Sequence, residues 1–281
     1  MKKLAAALAL SLLPLAFAAQ AEITTTDVVG RKVTVPDVPK RVVLGFYYED
    51  YLAIAGPGSL DRVVGLSLTT WKDWRPKQFA AYEKALPKLK TLPDVGSTDD
   101  NTFSIEKLIA TKPDLLILAT FSYEALGESV KQIEAAGIPV LVLDYLSQTV
   151  DKHVASTLAL GKIMGQEKRA QELADNYRKA FEDIDARIKK AGPTKKKVYF
   201  ELAQKGASEV GNSYGNSMWG ALVTRLGGHN IADGQVGNWG PLSPEYVLSQ
   251  KPDLIFLAGS EWLNKPQAVE MGFDATAAVA R

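Results

Sequence analysis

Aromatic and basic side chains gather directly after several short apolar runs of this chain, at the ends of what would be β-strands. In open α/β sheets a ligand binds beyond the carboxyl ends of the strands, so these positions are candidates for a binding site. Aromatic rings pack on a large flat ligand, and a nearby cation (Arg75, Lys72 or Lys205) would offset a negative charge on it. The candidate ligand-binding residues are Tyr47, Tyr48, Trp71, Trp74, Arg75, Tyr123, Tyr145, Tyr214, Trp219 and Trp239.

The residue types give little support to a bare metal site or to catalysis. Cysteine is absent, and the two histidines, His153 and His229, are more simply interpreted as structural, so no transition-metal site is predicted. Direct binding of a hard ferric ion by Tyr47, Tyr48 and Glu49 is a minority option. No catalytic residue and no resident cofactor are predicted. An exported α/β hydrolase is the alternative from another class, but neither histidine has an evident nucleophile partner in the sequence.

A sixteen-residue stretch occurs twice, 139 positions apart. Ser104–Ala119 and Ser243–Ala258 share eight of 16 aligned residues. In each copy a serine can cap a helix, a glutamate (Glu106 or Glu245) faces the positive end of the helix dipole, and a Lys-Pro pair ends the helix. A continuous apolar run follows, as in a strand that is buried on both faces. The duplication predicts two similar lobes with a cleft between them.

Strand and helix patterns alternate along most of the chain, which favours mostly parallel sheets with right-handed crossovers. Gln166–Lys190 lacks glycine and proline and predicts one amphipathic helix about 37 Å long, enough to cross between lobes. The predicted fold is α/β, with two doubly wound lobes joined by this single long α-helix. Its expected parts are a signal peptide (1–21), an N-terminal lobe (22–165), the interlobe helix (166–191) and a C-terminal lobe (192–281).

Shorter patterns give finer expectations within the lobes. Tyr123–Ala136 and Gly215–Leu226 are each predicted to form one helix. Only 23 residues follow Ala258, whereas more elements follow the first copy of the repeat, so we expect the C-terminal lobe to be truncated.

The N-terminus has the features of a secretory signal. Lys2 and Lys3 precede an apolar stretch, and Ala19-Gln20-Ala21 matches a cleavage site, which predicts export to the periplasm with cleavage after Ala21. The apolar stretch is too short to span a membrane, and no direct membrane insertion is predicted. Without the signal, 31 basic residues face 32 acidic ones, so the net charge of −1 gives no reason to expect nucleic acid as a partner.

An ordered set of short motifs runs through the chain. They are Thr26–Pro36, Pro39–Val43, Val63–Gly65, Pro93–Gly96, the two Lys-Pro-Asp-Leu segments and Leu226–Ile231. In these motifs the chain resembles the class III periplasmic solute-binding proteins of the ABC importers for iron-siderophore complexes, haem and cobalamin. The resemblance implies two lobes bridged by one backbone helix, and we expect the protein to act as a monomer. It also implies that one glutamate per lobe, here Glu106 and Glu245, contacts arginines of an inner-membrane ABC permease.

These observations predict an uptake receptor that captures a ferric-siderophore-type chelate in the interlobe cleft and delivers it to the permease. Alternatives with the same fold are binders of cobalamin, haem, an oxyanion or a nickel chelate. The resemblance weakens the haem alternative, because haem carriers of this family often place a tyrosine ligand where this chain has Ser97. A structural role of Glu106 and Glu245 at their helix ends is compatible with docking, since an exposed carboxylate stays available to an arginine partner.

Overall fold

Two separate sheets, each flanked by helices, organise the chain in the computed structural model. It describes residues 22–73, 75–192, 194, 196–202 and 211–258. The expected signal peptide and the end of the expected C-terminal lobe lie outside these residues. The α/β fold class predicted from the sequence is confirmed.

The first lobe opens with an antiparallel hairpin and continues into a four-stranded parallel sheet. Its elements are β1 (Ile23–Thr26), β2 (Lys32–Val35), β3 (Val42–Leu44), α1 (Tyr48–Ala55), β4 (Val63–Leu66), α2 (Leu68–Lys72), α3 (Pro76–Ala85), α4 (Ile105–Ala110), β5 (Leu115–Ala119), α5 (Thr120–Leu126), α6 (Ser129–Ala135), β6 (Val140–Leu143) and α7 (Val150–Ile163). The strand order is β4-β3-β5-β6, and every pair in it is parallel. Strands β3, β5 and β6 are buried along their whole length, because helices cover both faces of the sheet.

The helix predicted over Tyr123–Ala136 is interrupted. The structure has two helices there, α5 and α6, separated at Gly127, whose backbone φ of 49° lies in the left-handed region. Glycine adopts this conformation without a steric penalty, so it allows the chain to turn between the helices. The prediction of one helix was wrong because the apolar spacing continues across the turn.

One long helix, α8 (Glu167–Ala191), follows the first lobe. It has the 25-residue length expected of the interlobe helix but begins and ends one residue later than the predicted Gln166–Lys190. It ends at Gly192, which has a φ of 78°. Its first turns pack closely on α7: Ala170 is fully buried, and a Cβ at Gly161 would collide with it. Its second half contacts the second lobe, where the Arg225 guanidinium lies 4.3 Å from the Phe181 ring centroid.

The second lobe contains a mixed sheet. Its elements are β7 (Lys197–Leu202), β8 (Asn212–Tyr214), α9 (Met218–Arg225), β9 (His229–Asn230), β10 (Trp239–Pro241), α10 (Pro244–Gln250) and β11 (Leu254–Ala258). Strand β7 pairs in parallel with β11 and β9, whereas β8 runs antiparallel to both β7 and β10. The helix expected from Gly215 begins only at Met218, because the backbone of Ser217 is still extended.

The repeated segment has the predicted caps in both lobes. The Ser104 Oγ accepts a hydrogen bond from the Lys107 N–H at 3.2 Å, and the Ser243 Oγ accepts one from the Tyr246 N–H at 3.1 Å. Each bond satisfies a backbone donor that the first helical turn leaves without a partner.

The aspartate of each Lys-Pro-Asp-Leu segment has an equivalent role in the two lobes. Asp114 accepts a hydrogen bond from the Arg41 N–H at 2.8 Å, at the start of β3, and Asp253 accepts one from the Lys197 N–H at 2.7 Å, at the start of β7. Both bonds align the entry of one strand with its parallel neighbour. Among the described residues, no helix is long and apolar enough to cross a membrane.

Candidate functional site

A pocket of about 200 Å³ opens at the carboxyl end of the first-lobe sheet, where the second lobe approaches. Its walls come from the β3–α1 junction, from α2 and the residues after it, from the loop after β6 and from the start of α9. The Met218 N–H donates a hydrogen bond to the Leu146 carbonyl at 3.0 Å, which is a direct contact between the lobes. The lining residues are Phe46, Tyr47, Tyr48, Glu49, Asp50, Thr70, Trp71, Arg75, Tyr145, Leu146, Gln148 and Met218.

Half of the predicted ligand-binding residues line this pocket. They are Tyr47, Tyr48, Trp71, Arg75 and Tyr145. Tyr214 lies on β8 of the second lobe, near enough to Arg75 that the guanidinium opposes the rise that burial causes in the pKa of this tyrosine. The prediction that residues following different strands converge therefore agrees with the geometry of the first lobe.

The other predicted residues lie elsewhere. Tyr123 packs against the core on the opposite face of the first sheet, with the Arg31 guanidinium 4.7 Å from its ring centroid, because α5 directs it away from the pocket. Trp219 stacks on Phe200 and stays 45% exposed, and Trp239 is 54% exposed on β10. Neither of them lines the pocket. Trp74 lies outside the described residues.

Tyr48 and Trp71 form a stacked, hydrogen-bonded wall of the pocket. Their rings are stacked, with centroids 4.7 Å apart and an interplanar angle of 5°. The Trp71 Nε1–H donates to a Glu49 carboxylate oxygen at 2.9 Å, and the Tyr48 hydroxyl donates to the Ser67 carbonyl at 2.5 Å. These bonds fix both rings in place before any ligand enters, which lowers the conformational cost of binding.

The phenols do not favour direct coordination of iron. Tyr47 accepts a hydrogen bond from the Tyr145 N–H at 3.1 Å, and the Tyr48 hydroxyl is committed to a backbone carbonyl. Burial raises the pKa of both phenols well above the ordinary range, whereas a phenolate is the form that would bind a ferric ion. Glu49, the third residue of this minority option, already binds Trp71. No cluster of three metal-ligating His, Cys, Asp or Glu residues occurs in the described part of the chain.

Unusual backbone conformations are concentrated at the pocket. Six non-glycine residues of the described chain have a positive φ, and three of them line it: Tyr47 (59°), Gln148 (54°) and Met218 (47°). Such conformations are unfavourable for residues with a side chain and persist where the surrounding structure imposes them, often at binding sites. This observation supports the pocket as the functional site independently of its residue types.

The charges of the pocket differ from what the sequence suggested. Arg75 is the only base among the lining residues that the structure describes, and its Nη1 lies 3.8 Å from a Glu49 oxygen. Asp50, in the first turn of α1, adds a second acid; burial and then the nearby Glu49 raise its pKa to about 6. Lys72 is exposed and does not line the pocket, and Lys205 lies outside the described residues. The described lining thus has more acidic than basic side chains and does not favour an anionic ligand.

The chain also contains a Gly-x-Ser-x-Gly pattern, at Gly211–Gly215, which sequence reasoning missed and which is typical of the nucleophile of α/β hydrolases. In such enzymes the serine is exposed on a turn from a strand to a helix. Here Ser213 is fully buried in the middle of β8. His153 stacks on Tyr177 with centroids 3.6 Å apart, and His229 is exposed on β9, so neither histidine is placed as its base.

The two glutamates of the repeat occupy equivalent, exposed positions. Glu106 lies in the first turn of α4 and Glu245 in the first turn of α10. Neither forms a hydrogen bond or an ion pair with another residue that the structure describes. Both carboxylates therefore stay available to a partner.

Comparison with known proteins defines the family. The sequence model of a family described as periplasmic binding protein matches residues 43–277. This chain belongs to the periplasmic binding protein family. A solved TroA-like periplasmic binding protein FepB from Veillonella parvula is 32% identical, with a TM-score of 0.76 over 87% of this chain and 72% of that one. The periplasmic vitamin B12-binding protein BtuF of Vibrio cholerae shares the fold, with a TM-score of 0.61 and 19% identity over 82% of this chain and 80% of its own.

Curated members of the periplasmic binding protein family give the same assignment. An ABC transporter substrate-binding lipoprotein of Bacillus subtilis, YvrC, is 26% identical over 83% of this chain and 68% of its own length. The molybdate-binding protein MolA of Haemophilus influenzae is 26% identical over 86% and 70%, and a vitamin B12-binding protein of Salmonella choleraesuis is 28% identical over 66% and 65%. This periplasmic binding protein is therefore a substrate-binding component of an ABC transporter and not an enzyme, which removes the hydrolase alternative.

Proposed function

We propose that this protein captures a ferric-siderophore-type chelate in the aromatic pocket between its lobes and delivers it to an inner-membrane ABC permease. The observation that carries the proposal is the rigid aromatic wall of Tyr48 and Trp71 at the carboxyl edge of the first sheet, opposite the second lobe. The proposal includes export to the periplasm with cleavage after Ala21 and action as a monomer. It also includes the division into lobes at 22–165 and 192–281 with 166–191 between them.

A chelate suits this pocket better than a bare ion does. A bare ferric ion needs several anionic oxygen ligands from the protein, but the phenols of Tyr47 and Tyr48 are held in their neutral form. A chelate brings its own ligands and requires apolar surface and shape from the protein. The described lining is rich in apolar and aromatic side chains: Phe46 and Tyr145 pack edge to face on Tyr47, beside the stacked Tyr48 and Trp71.

The pocket argues against two of the same-fold alternatives. A molybdate-like oxyanion needs several cations or N–H donors. The described lining has one cation, Arg75, and two carboxylates, Glu49 and Asp50, which would repel the anion. Haem would need an axial ligand, and Ser97 cannot supply one from the position that the resemblance indicates. Ser97 is 3% exposed and accepts a hydrogen bond from the Thr70 hydroxyl at 3.0 Å.

Cobalamin is the second candidate, because it too is a large chelate with flat apolar surface, and curated relatives are named vitamin B12-binding proteins. A nickel chelate would fit for the same reason. A fluorescence titration of the five tryptophans separates these ligands. Saturable quenching by ferric siderophores, with weaker or no quenching by cobalamin, nickel chelates or molybdate, is the expected result. Saturation by cobalamin alone would replace the proposed ligand with the second candidate.

A further inference from the structure

The acidity of the pocket bears on which chelates it accepts. Resting on the proposed function, we infer that the pocket selects chelates without net negative charge and that Asp50 binds a cationic or hydrogen-bond-donating group of the ligand. Hydroxamate-type complexes, which are neutral or cationic, belong to this class, whereas tris-catecholate complexes are strongly anionic and do not.

The partners of the pocket carboxylates distinguish Asp50 from Glu49. Glu49 accepts the Trp71 Nε1–H at 2.9 Å and has Arg75 at 3.8 Å. Asp50 is half-buried in the same lining, and it forms no hydrogen bond or ion pair with another residue in the described part of the chain. A ligand that enters the pocket removes water from this carboxylate, so the ligand must supply a positive charge or a donor in return.

The surroundings of Asp50 reinforce this preference. Glu49 on the same helix adds negative charge. Arg75, half exposed and already beside Glu49, is the one cation that the described part of the chain contributes to the lining. The remaining titratable groups that face Asp50 are the phenols of Tyr47, Tyr82 and Tyr145, which burial and nearby acids hold in the neutral form. Asp144, behind Tyr145, is neutralised by Lys152 at 2.9 Å.

The charge balance of the described lining acts against an anion. An anionic chelate would meet two acids, Glu49 and Asp50, and one arginine, Arg75, that already lies beside Glu49.

Burial, followed by the charge of Glu49, raises the pKa of Asp50 to about 6, which makes the preference depend on pH. The carboxylate attracts a cation only in its ionised form, which predominates above that pKa. Affinity for a cationic chelate should therefore be greater at neutral pH than at a pH one unit below the pKa of Asp50.

The test compares three ferric chelates of different charge: ferrioxamine B (cationic), ferrichrome (neutral) and ferric enterobactin (anionic). Each is titrated calorimetrically into the wild-type protein, Asp50→Asn and Asp61→Asn, with thermal melts to check folding. Asp61 is exposed near the opposite edge of the sheet, so its variant makes the same charge change away from the pocket. We expect Asp50→Asn to lose about tenfold in affinity for ferrioxamine B and less than about twofold for ferrichrome, as for one charge-assisted hydrogen bond. Asp61→Asn should match the wild type.

Two results would overturn the inference and leave the proposed function standing. One is tightest binding of ferric enterobactin by the wild type, and the other is equal affinity of wild type and Asp50→Asn for ferrioxamine B. If Asp50→Asn is not folded, the pH dependence of ferrioxamine B binding to the wild type decides alone, and unchanged affinity across the pKa of Asp50 rejects the inference. Failure of all three ferric chelates to bind the wild type would instead reject the proposed function.

Discussion

At the scale of single residues, the pocket is built from side chains whose polar atoms are bound within the protein and whose rings pack on one another. Trp71 is 1% exposed, stacks on Tyr48 and donates its only N–H to Glu49. Apart from Asp50, the polar side chains that line this pocket have partners among the described residues. The pocket is thus organised for recognition by shape and charge.

The variant Trp71→Phe tests this arrangement by removing the indole N–H that Trp71 donates to Glu49. The ring packing is largely kept, but Glu49 loses its donor, so the free energy of unfolding should fall by about 1–3 kcal/mol and chelate affinity should weaken. Urea denaturation and calorimetry measure the two effects. Trp219→Phe, on a half-exposed ring outside the pocket, is the control and should leave affinity unchanged. Equal losses of affinity in both variants would contradict the assignment of the pocket.

His153 makes stability depend on pH. Burial lowers its pKa to about 4, so between pH 4 and its ordinary value of 6.5 the unfolded chain binds the proton and the folded protein does not. Stability from this group is complete above pH 6.5 and is lost as the pH falls toward 4. His153→Phe keeps a ring against Tyr177 but has no group that titrates. Urea melts give the drop in the free energy of unfolding between pH 7 and pH 4.5, and this drop should be about 2 kcal/mol smaller in the variant than in the wild type. Identical pH dependence in both proteins would show that His153 titrates normally.

Much of the pocket lining was predictable because parallel strands place the residues that follow them at one edge of the sheet. That argument named Tyr47, Tyr48, Trp71, Arg75 and Tyr145, and all five line the pocket. Their role in ligand binding stays a prediction. The same argument could not find Asp50, whose position in a helix gives no sign of facing a pocket. It misplaced Tyr123, because the turn between a strand and the next helix determines the side to which a residue points, and sequence spacing does not encode that turn.

At the scale of elements, the repeated helix–strand unit is the best-predicted feature of the chain. Its serines cap the helix and its aspartates bond the neighbouring strand in the same way in both lobes. Even the backbone agrees, since Lys112 and Lys251 have positive φ values of 48° and 49°. Local rules of capping and helix termination were sufficient here. They failed at Gly127, because a glycine within an apolar helical pattern does not reveal whether the helix continues.

We propose that the repeat presents Glu106 and Glu245 to the permease. Reversing both charges with Glu106→Arg and Glu245→Arg should leave chelate affinity unchanged and stop uptake in cells, because two arginines would then face the arginines expected on the permease. The control is Glu172→Arg with Glu182→Arg, two exposed glutamates of α8 that lie outside the repeat. Uptake by the first double variant at the rate of the control would reject the docking role.

At the scale of the whole molecule, one helix without glycine or proline links the two lobes, and each end of it is fixed. Ala170 packs against α7, and Arg225 of the second lobe makes two hydrogen bonds to Asp185 at 2.7 and 3.1 Å. A bridge of this kind has no evident hinge of the type that permits large domain closure. We therefore propose that the lobes move little when the ligand binds.

Distances between the lobes can test this rigidity directly. Because the chain has no cysteine, Lys84→Cys and Gln235→Cys would place one spin label on each lobe without competing sites. Adding a saturating ferric chelate should shift the mean distance by less than the width of the distribution. A large shift toward shorter distances would show that the bridge bends and that the pocket closes by domain motion.

The most direct test of the whole account is a crystal of the protein soaked with mixed ferric chelates and measured at the iron absorption edge. The account predicts one anomalous peak in the cleft, beside the Tyr48–Trp71 stack and within reach of Asp50, with the iron ligands supplied by the chelate. Iron bound directly by side chains, iron bound outside the cleft, or an empty cleft in crystals that bind cobalamin there would each contradict it.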